Sequence, residues 1–180
     1  MENKNKVGIV FGKFYPPHLG HQFLIKTALS KVNELHIFIG VDKIRDNRLF
    51  ENSELKKKIT RADRIILCSH AFLDNLDINP ENKKLELHLL IEDGIDPYPN
   101  GWQQWADLVK NLFIQLNIKP NVIFTSEEKD IELHKKYFEI KVEAIDLNKS
   151  NYNINATKIR NNPDDYKDFM IKEALEFFYI

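Results

Sequence analysis

The sequence predicts an α/β protein, a doubly wound and mainly parallel sheet with helices on both faces. Three observations predict it. Short apolar, β-branched runs such as VGIVF, HIFIG and VIFT recur along the chain; stretches long enough for a helix separate them; and several of those stretches carry apolar residues at helical spacing. Parallel strands need such crossovers, which are almost always right-handed.

Taken in order, residues 6–11 read as a buried strand ended by Gly12. Pro16 and Pro17 disfavour helix at the residue before each, after which HLGHQFLIKTALSKV forms a helix with Leu24, Ala28 and Val32 on one face. Residues 34–40 give a second strand, helical material follows from about Asn52 to Phe72, and residues 84–93 give a third strand. GWQQWADLVKNLFIQL is an amphipathic helix whose predicted core stripe is Trp105, Leu108, Leu112 and Leu116. Residues 121–126, the segment EKDIELHKKYF and residues 141–147 add strand, helix and strand. Asn162, Pro163, Asp164 and Asp165 then offer a cap, a first-turn proline and acidic residues to a final helix over YKDFMIKEALEFF.

A chain of 180 residues is long enough for one substantial core, and with neither linker nor repeat the expectation is a single domain over residues 1–180. Its 26 basic and 27 acidic residues leave a net charge of -1, so no overall electrostatic footprint for nucleic acid or membrane is present. One cysteine, Cys68, excludes an intrachain disulfide framework and reads as a small semi-buried residue rather than a reactive thiol. The polar start MENKNK and the shortness of the apolar runs argue against a signal peptide or membrane span, and a cytoplasmic location is expected.

In a doubly wound sheet, ligands bind beyond the C-terminal ends of the strands. The site is therefore expected at residues 12–21, 40–48, 91–105, 125–130 and 148–160. In the first of these, Gly12 allows close backbone approach to an anion and Lys13 adds charge. The pattern is neither GxxxxGK[ST] nor GxGxxG, which removes the main support for a P-loop kinase or a nicotinamide-dependent oxidoreductase. His18 and His21 stand at a helix entry, a place for local capping or for donors to phosphate. As metal ligands they lack a nearby third partner, since the pattern is neither HExxH nor a cysteine and histidine cluster, and no metal-ligating residue is assigned. At the far end of the chain, in NINATKIR, Asn155 caps a short helix from Ala156, placing Thr157 and Arg160 to face a polyphosphate or, equally, to form a solvated turn.

GKFYPPHLGH paired with INATKIR resembles the two signatures of the HxGH nucleotidylyltransferase superfamily. The chain is most similar to the nicotinamide mononucleotide (NMN) adenylyltransferase domain of bacterial NadR-type proteins. ELHIFIGVDKIRDNRLFENS, ADR, EDGIDPYPNGWQQWADLVK and IFTSEEKD follow in the matching order, so the resemblance spans about residues 6 to 178. It implies a Rossmann-like fold and transfer of AMP from ATP to NMN, giving NAD and pyrophosphate by direct attack on the α-phosphorus, with Mg2+ accompanying ATP. By this resemblance His18 and His21 contact the ATP phosphates and stabilise the transition state. Lys13 neutralises those phosphates, and Arg160 and Thr157 hold them from the opposite side. Gly12, Phe14, Thr125, Ser126, Glu127 and Asn155 complete the ATP side, while Asp42, Arg45, Asn100 and Trp102 line the NMN side, with the Trp102 ring against nicotinamide. Homo-oligomers are common in the superfamily.

Asn155 stands where that family usually has serine, and the KITRA segment before Asp63 and Arg64 is atypical. Asp63 and Arg64 read as a surface ion pair on a helix. No kinase P-loop and no DNA-binding segment is found, so a single activity is expected. Nicotinate mononucleotide or another phosphorylated molecule as acceptor, or a nucleotide-binding sensor without turnover, are the competing readings.

Overall fold

The computed structural model describes residues 5–74 and 83–180, so the first four residues of the polar start MENKNK lie outside it. Five strands form one all-parallel sheet: β1 (Val7–Gly12), β2 (Glu34–Val41), β3 (Lys84–Ile91), β4 (Val122–Thr125) and β5 (Lys141–Ala144). Their spatial order is β3-β2-β1-β4-β5. The chain winds outward from β1 in one direction, returns, and winds out in the other. The reversal falls between β1 and β4, where a doubly wound fold opens its ligand crevice.

Alternation along the strands divides the core between two faces. On one face Val10, Leu35, Ile37, Ile39, Val122 and Phe124 pack with Leu24, Ile25, Ala28 and Leu29 of helix α1 (Leu19–Ser30), and with Leu67 and Cys68 of α3 (Arg61–Ser69). Cys68 is fully buried, and burial pushes its thiol pKa up, which suits an inert packing residue. On the other face Ile9, Phe38 and Ile123 meet Ala106, Val109 and Phe113 of α4 (Trp102–Gln115) and Phe138 of α5 (Glu128–Phe138). Among the described residues no helix is long and apolar enough to cross a membrane.

Three elements depart from the sequence reading. A helix, α2 (Lys43–Glu51), precedes the expected one, and residues 52–60 are not helical. The segment KIRDNRLFE buries only Asp46, so it carries no apolar stripe for a periodicity reading to find. The next helix starts at Arg61, where the Thr60 hydroxyl accepts from the Asp63 backbone N-H and Asp63 Oδ2 accepts from the Thr60 N-H at 2.9 Å. That reciprocal cap is visible in the sequence as Thr-x-x-Asp, a close relative of the usual Ser/Thr-x-x-Glu pattern.

The core line of α4 is Ala106, Val109 and Phe113, one residue on from the expected stripe. Trp105, Leu108 and Leu112 flank it half-buried, and Leu116 is 45% exposed. Side chains at the contact set how closely a helix approaches, and the small Ala106 is the residue seated against the sheet.

The final helix also starts late. Asn162 ends α6 (Ala156–Asn161), a 3-10 turn spans Lys167–Phe169, and α7 runs only over Lys172–Tyr179. Met170 and Ile171 are buried, and Met170 makes an antiparallel bridge to His18. Burial and backbone pairing there override the local capping signal.

Replacing fully buried Ile37 by alanine is expected to lower unfolding free energy by about 2–5 kcal/mol. Urea denaturation should show a lower midpoint with unchanged slope.

Candidate nucleotide-binding site

The loop after β1 is held from three sides. The backbone of His18 bridges to Met170, its N-H donates to His21 Nδ1 at 3.2 Å, and the two imidazoles stack with centroids 3.6 Å apart. A Cβ on Gly20 would stand 3.1 Å from the His18 ring and 3.2 Å from Ile154, so glycine lets the two signatures close together. Gly12 has a different reason: a Cβ there would lie 2.5 Å from the Phe14 ring. Phe14 itself is buried, edge-on to His21 and Phe72, so its side chain braces the histidine rather than lining an open surface.

His18 is buried with its Nδ1 unpartnered. Desolvation, then the charge of Lys149, pushes its pKa down to about 3. His21 is also held well below its usual range by desolvation, His18 and Lys149. Both imidazoles are therefore neutral at physiological pH, able to donate from one ring nitrogen without carrying charge. The charge at the site comes from elsewhere. The pKa of Lys13 is lowered by desolvation first, then by Arg45, with Glu92 opposing and Lys129 and Arg160 adding further repulsion. Such mutual repulsion marks cations gathered without enough anions to match, a setting suited to a polyanion.

The second signature meets the first directly. Arg160 donates from one nitrogen to the Tyr15 carbonyl at 2.8 Å and from another to the Thr157 hydroxyl at 2.9 Å. Asn155 Oδ1 accepts from the Lys158 N-H at 2.9 Å, capping α6. The amide thus does the capping work that the serine hydroxyl does in the pattern it departs from.

Beyond β2 lies a network that the sequence concealed. Arg64 is fully buried, not a surface group, and it does not pair with Asp63. Its guanidinium donates to the carbonyls of Lys13 and Gly40 at 2.9 and 3.2 Å and to Asp46 Oδ2 at 2.7 Å, with the Tyr15 ring against it. Asp42 caps α2 by accepting from the Arg45 N-H. Arg45 reaches the Gly40 carbonyl at 2.9 Å and pairs with Glu92. Glu92 also accepts from Trp105 Nε1 at 2.7 Å, so Trp105 joins the network as well as flanking the core.

Trp102 is half-buried, edge-on to Trp105 and stacked 6.0 Å from Tyr137. Asn100 is exposed in the preceding turn, and no described side-chain contact joins it to the network. At the end of β4, the Thr125 hydroxyl accepts from the Glu127 N-H at 3.1 Å, while Lys149 donates to the Ser126 carbonyl at 2.7 Å. Glu92, Lys129 and Lys149 fall within segments expected to form the site but were not singled out there, and Met170 lies outside those segments. The two lysines carry no motif, and only the doubly wound topology, which collects loops at the C-terminal ends of the strands, marked their segments.

A family model described as cytidylyltransferase-like matches residues 9–162. The chain belongs to the cytidylyltransferase-like family. The match begins inside β1 and ends just past α6, so it takes in both signatures. The trifunctional NAD biosynthesis/regulator protein NadR of Escherichia coli (strain K12) is 36% identical over 175 residues, 97% of this chain and 41% of that protein. The chain thus spans less than half the length of that relative. A probable nicotinate-nucleotide adenylyltransferase of Fusobacterium nucleatum is 25% identical over 208 residues, covering 97% of this chain and 99% of the relative. A crystal structure of NadR protein in complex with NAD and AMP-PNP superposes with a TM-score of 0.63 at 25% identity, covering 92% of this chain and 44% of that one. The cytidylyltransferase-like chain described here therefore shares its Rossmann-like fold with that structure.

Two outcomes are expected. Arg64→Ala leaves buried Asp46 with Arg45 as its remaining cationic partner and the carbonyls of Lys13 and Gly40 without their donor, and should cost about 3–5 kcal/mol, read by denaturant unfolding. Because the folded-state pKa of His18 lies at about 3, its contribution to stability is fully present above the unfolded value of about 6.5 and is lost as pH falls from there towards 3. Imidazole NMR should find His18 neutral at pH 5, and the fall in unfolding free energy across this window should be shallower in His18→Asn.

Proposed function

We propose that this chain transfers AMP from ATP to the phosphate of NMN, forming NAD and pyrophosphate. The observation that carries this reading is the junction of the two signatures at Tyr15 and Arg160 beside two neutral histidines, buried His18 and partly buried His21. Similarity to NadR and to a probable nicotinate-nucleotide adenylyltransferase supports the same class of reaction. The elements that supply these groups all lie at one edge of a single sheet, which supports one catalytic unit over the described residues.

In this reading an NMN phosphate oxygen attacks the α-phosphorus while the bond to pyrophosphate breaks. No covalent enzyme intermediate forms, and the attacking phosphate needs no base. Lys13 and Arg160 hold the triphosphate, with Lys129 and Lys149 contributing to the local field and Thr157 offering its hydroxyl. Neutral His18 and His21 present N-H donors where charge develops on the phosphoryl oxygens, and Gly12 leaves the backbone accessible at the loop entrance. Mg2+ accompanying ATP would supply further neutralisation of the phosphates. Thr125, Ser126 and Glu127 at the end of β4 receive the adenosine. Asp42, Arg45 and Asn100 border the NMN side, where Trp102 offers its ring to the nicotinamide.

Nicotinate mononucleotide is the competing acceptor. It is favoured by the Fusobacterium nucleatum relative, which matches over nearly its whole length, and by the cation Arg45 beside the pocket.

Purified protein supplied with ATP, Mg2+ and either mononucleotide should form NAD from NMN faster than the deamido product from nicotinate mononucleotide. Absence of NAD from folded, ATP-binding protein overturns the assignment. His18→Ala should reduce turnover about 10²–10³-fold and change the ATP dissociation constant far less. Equal losses in both would contradict a transition-state role.

A further inference from the structure

We propose that His36, Glu86 and His88 bind one divalent transition-metal ion of the zinc class, at a site in the sheet separate from the nucleotide-binding loops. Parallel register sets His36 on β2 opposite Glu86 on β3, and Phe38 opposite His88. With a side-chain period of two, all four lie on the sheet face that packs against α4. His36 Nδ1 is 2.8 Å from His88 Nε2 and 3.3 Å from Glu86 Oε2, and His88 Nε2 is 3.6 Å from that same oxygen. Atoms with these separations lie on a circle of about 1.9 Å radius, so a point just off their plane is about 2.0–2.1 Å from all three, the zinc distance for imidazole nitrogen and carboxylate oxygen.

Two carboxylates, Glu34 and Glu86, border the site against one ammonium, that of Lys84. The other ring nitrogen of His36, Nε2, lies 2.8 Å from Glu34 Oε1 without the alignment of a hydrogen bond. A small ring rotation would turn this contact into the carboxylate-histidine-metal arrangement that fixes a ligand's tautomer. Lys84 stands 2.9 Å from both Glu34 Oε1 and Glu86 Oε1, which leaves Glu86 Oε2 turned to the imidazoles. The His88 ring lies stacked on Phe38 with centroids 4.9 Å apart. His36 is 2% exposed whereas Glu86 is 38% exposed, which closes the histidine side and leaves a fourth position open to water.

Two histidines and one carboxylate with an open position fit zinc, cobalt or nickel better than magnesium or calcium, which prefer oxygen donors. Such an ion would fasten edge strand β3 to β2, and β3 leads into Glu92. This inference does not rest on the proposed reaction, and its readout is metal uptake and stability rather than turnover.

The full chain, stripped with a chelator and returned to metal-free buffer, is titrated with Zn2+ alone and in parallel with Co2+ alone. Wild-type protein is expected to bind one equivalent more Zn2+ than His88→Asn or Glu86→Gln, to develop visible Co2+ d-d bands, and to melt at a higher temperature with Zn2+. His70→Gln, altering an exposed histidine elsewhere, should behave as wild type. Equal uptake by wild type and both site variants overturns the proposal. So does the absence of Co2+ bands in wild-type protein, a result that stands even if a variant fails to fold.

Discussion

The buried guanidinium of Arg64 fastens the ligand-facing edge of the sheet. It ties the carbonyls of Lys13 and Gly40, which follow or end neighbouring strands, to a carboxylate on α2. An isolated charge in that position would be too costly to bury, and three oxygen acceptors with an aromatic ring alongside make it tolerable. Because the acceptors come from a loop, a strand and a helix, the arrangement fixes their relative positions. Lys13 and Arg45 face the same ligand-side space partly because Arg64 holds the backbone behind them.

The histidines and cations divide their work by solvation. Burial keeps His18 and His21 neutral, while Lys13 and Arg160 retain enough exposure to remain charged despite lowered pKa values. A site built only of cations would bind a triphosphate tightly before and after reaction. In the proposed reaction, neutral donors beside the reacting phosphorus would respond more strongly to charge that appears transiently there. The stacking of the two rings and the bracing by Phe14 limit their movement, so that little reorganisation is needed.

Much of this was legible in the sequence, and what was not had physical causes. Five apolar runs gave five strands, and GKFYPPHLGH and INATKIR, far apart in sequence, meet in the fold at Tyr15 and Arg160. The polar helix α2 was missed because it buries a carboxylate instead of an apolar stripe. Arg64 was misjudged because an arginine in a charged helix start usually faces water, and nothing local shows the carbonyls that receive it. Trp105 had two roles, of which periodicity reveals only the packing one. The Met170 bridge replaced helix where capping residues favoured it, since pairing with a segment some 150 residues earlier is invisible to a local reading.

That bridge has a consequence for how the protein comes into being. During synthesis β1 and the loop bearing His18 emerge first, yet Ile154, Arg160 and Met170, which seat the loop, follow more than 130 residues later. Closing so long a stretch of chain is entropically unfavourable until the strands between have paired, and all-parallel pairing is itself slow to assemble. The proposed anion site therefore needs both ends of the chain, and a nascent chain holding the whole GKFYPPHLGH stretch lacks the contacts that seat it until Ile154, Arg160 and Met170 can reach it.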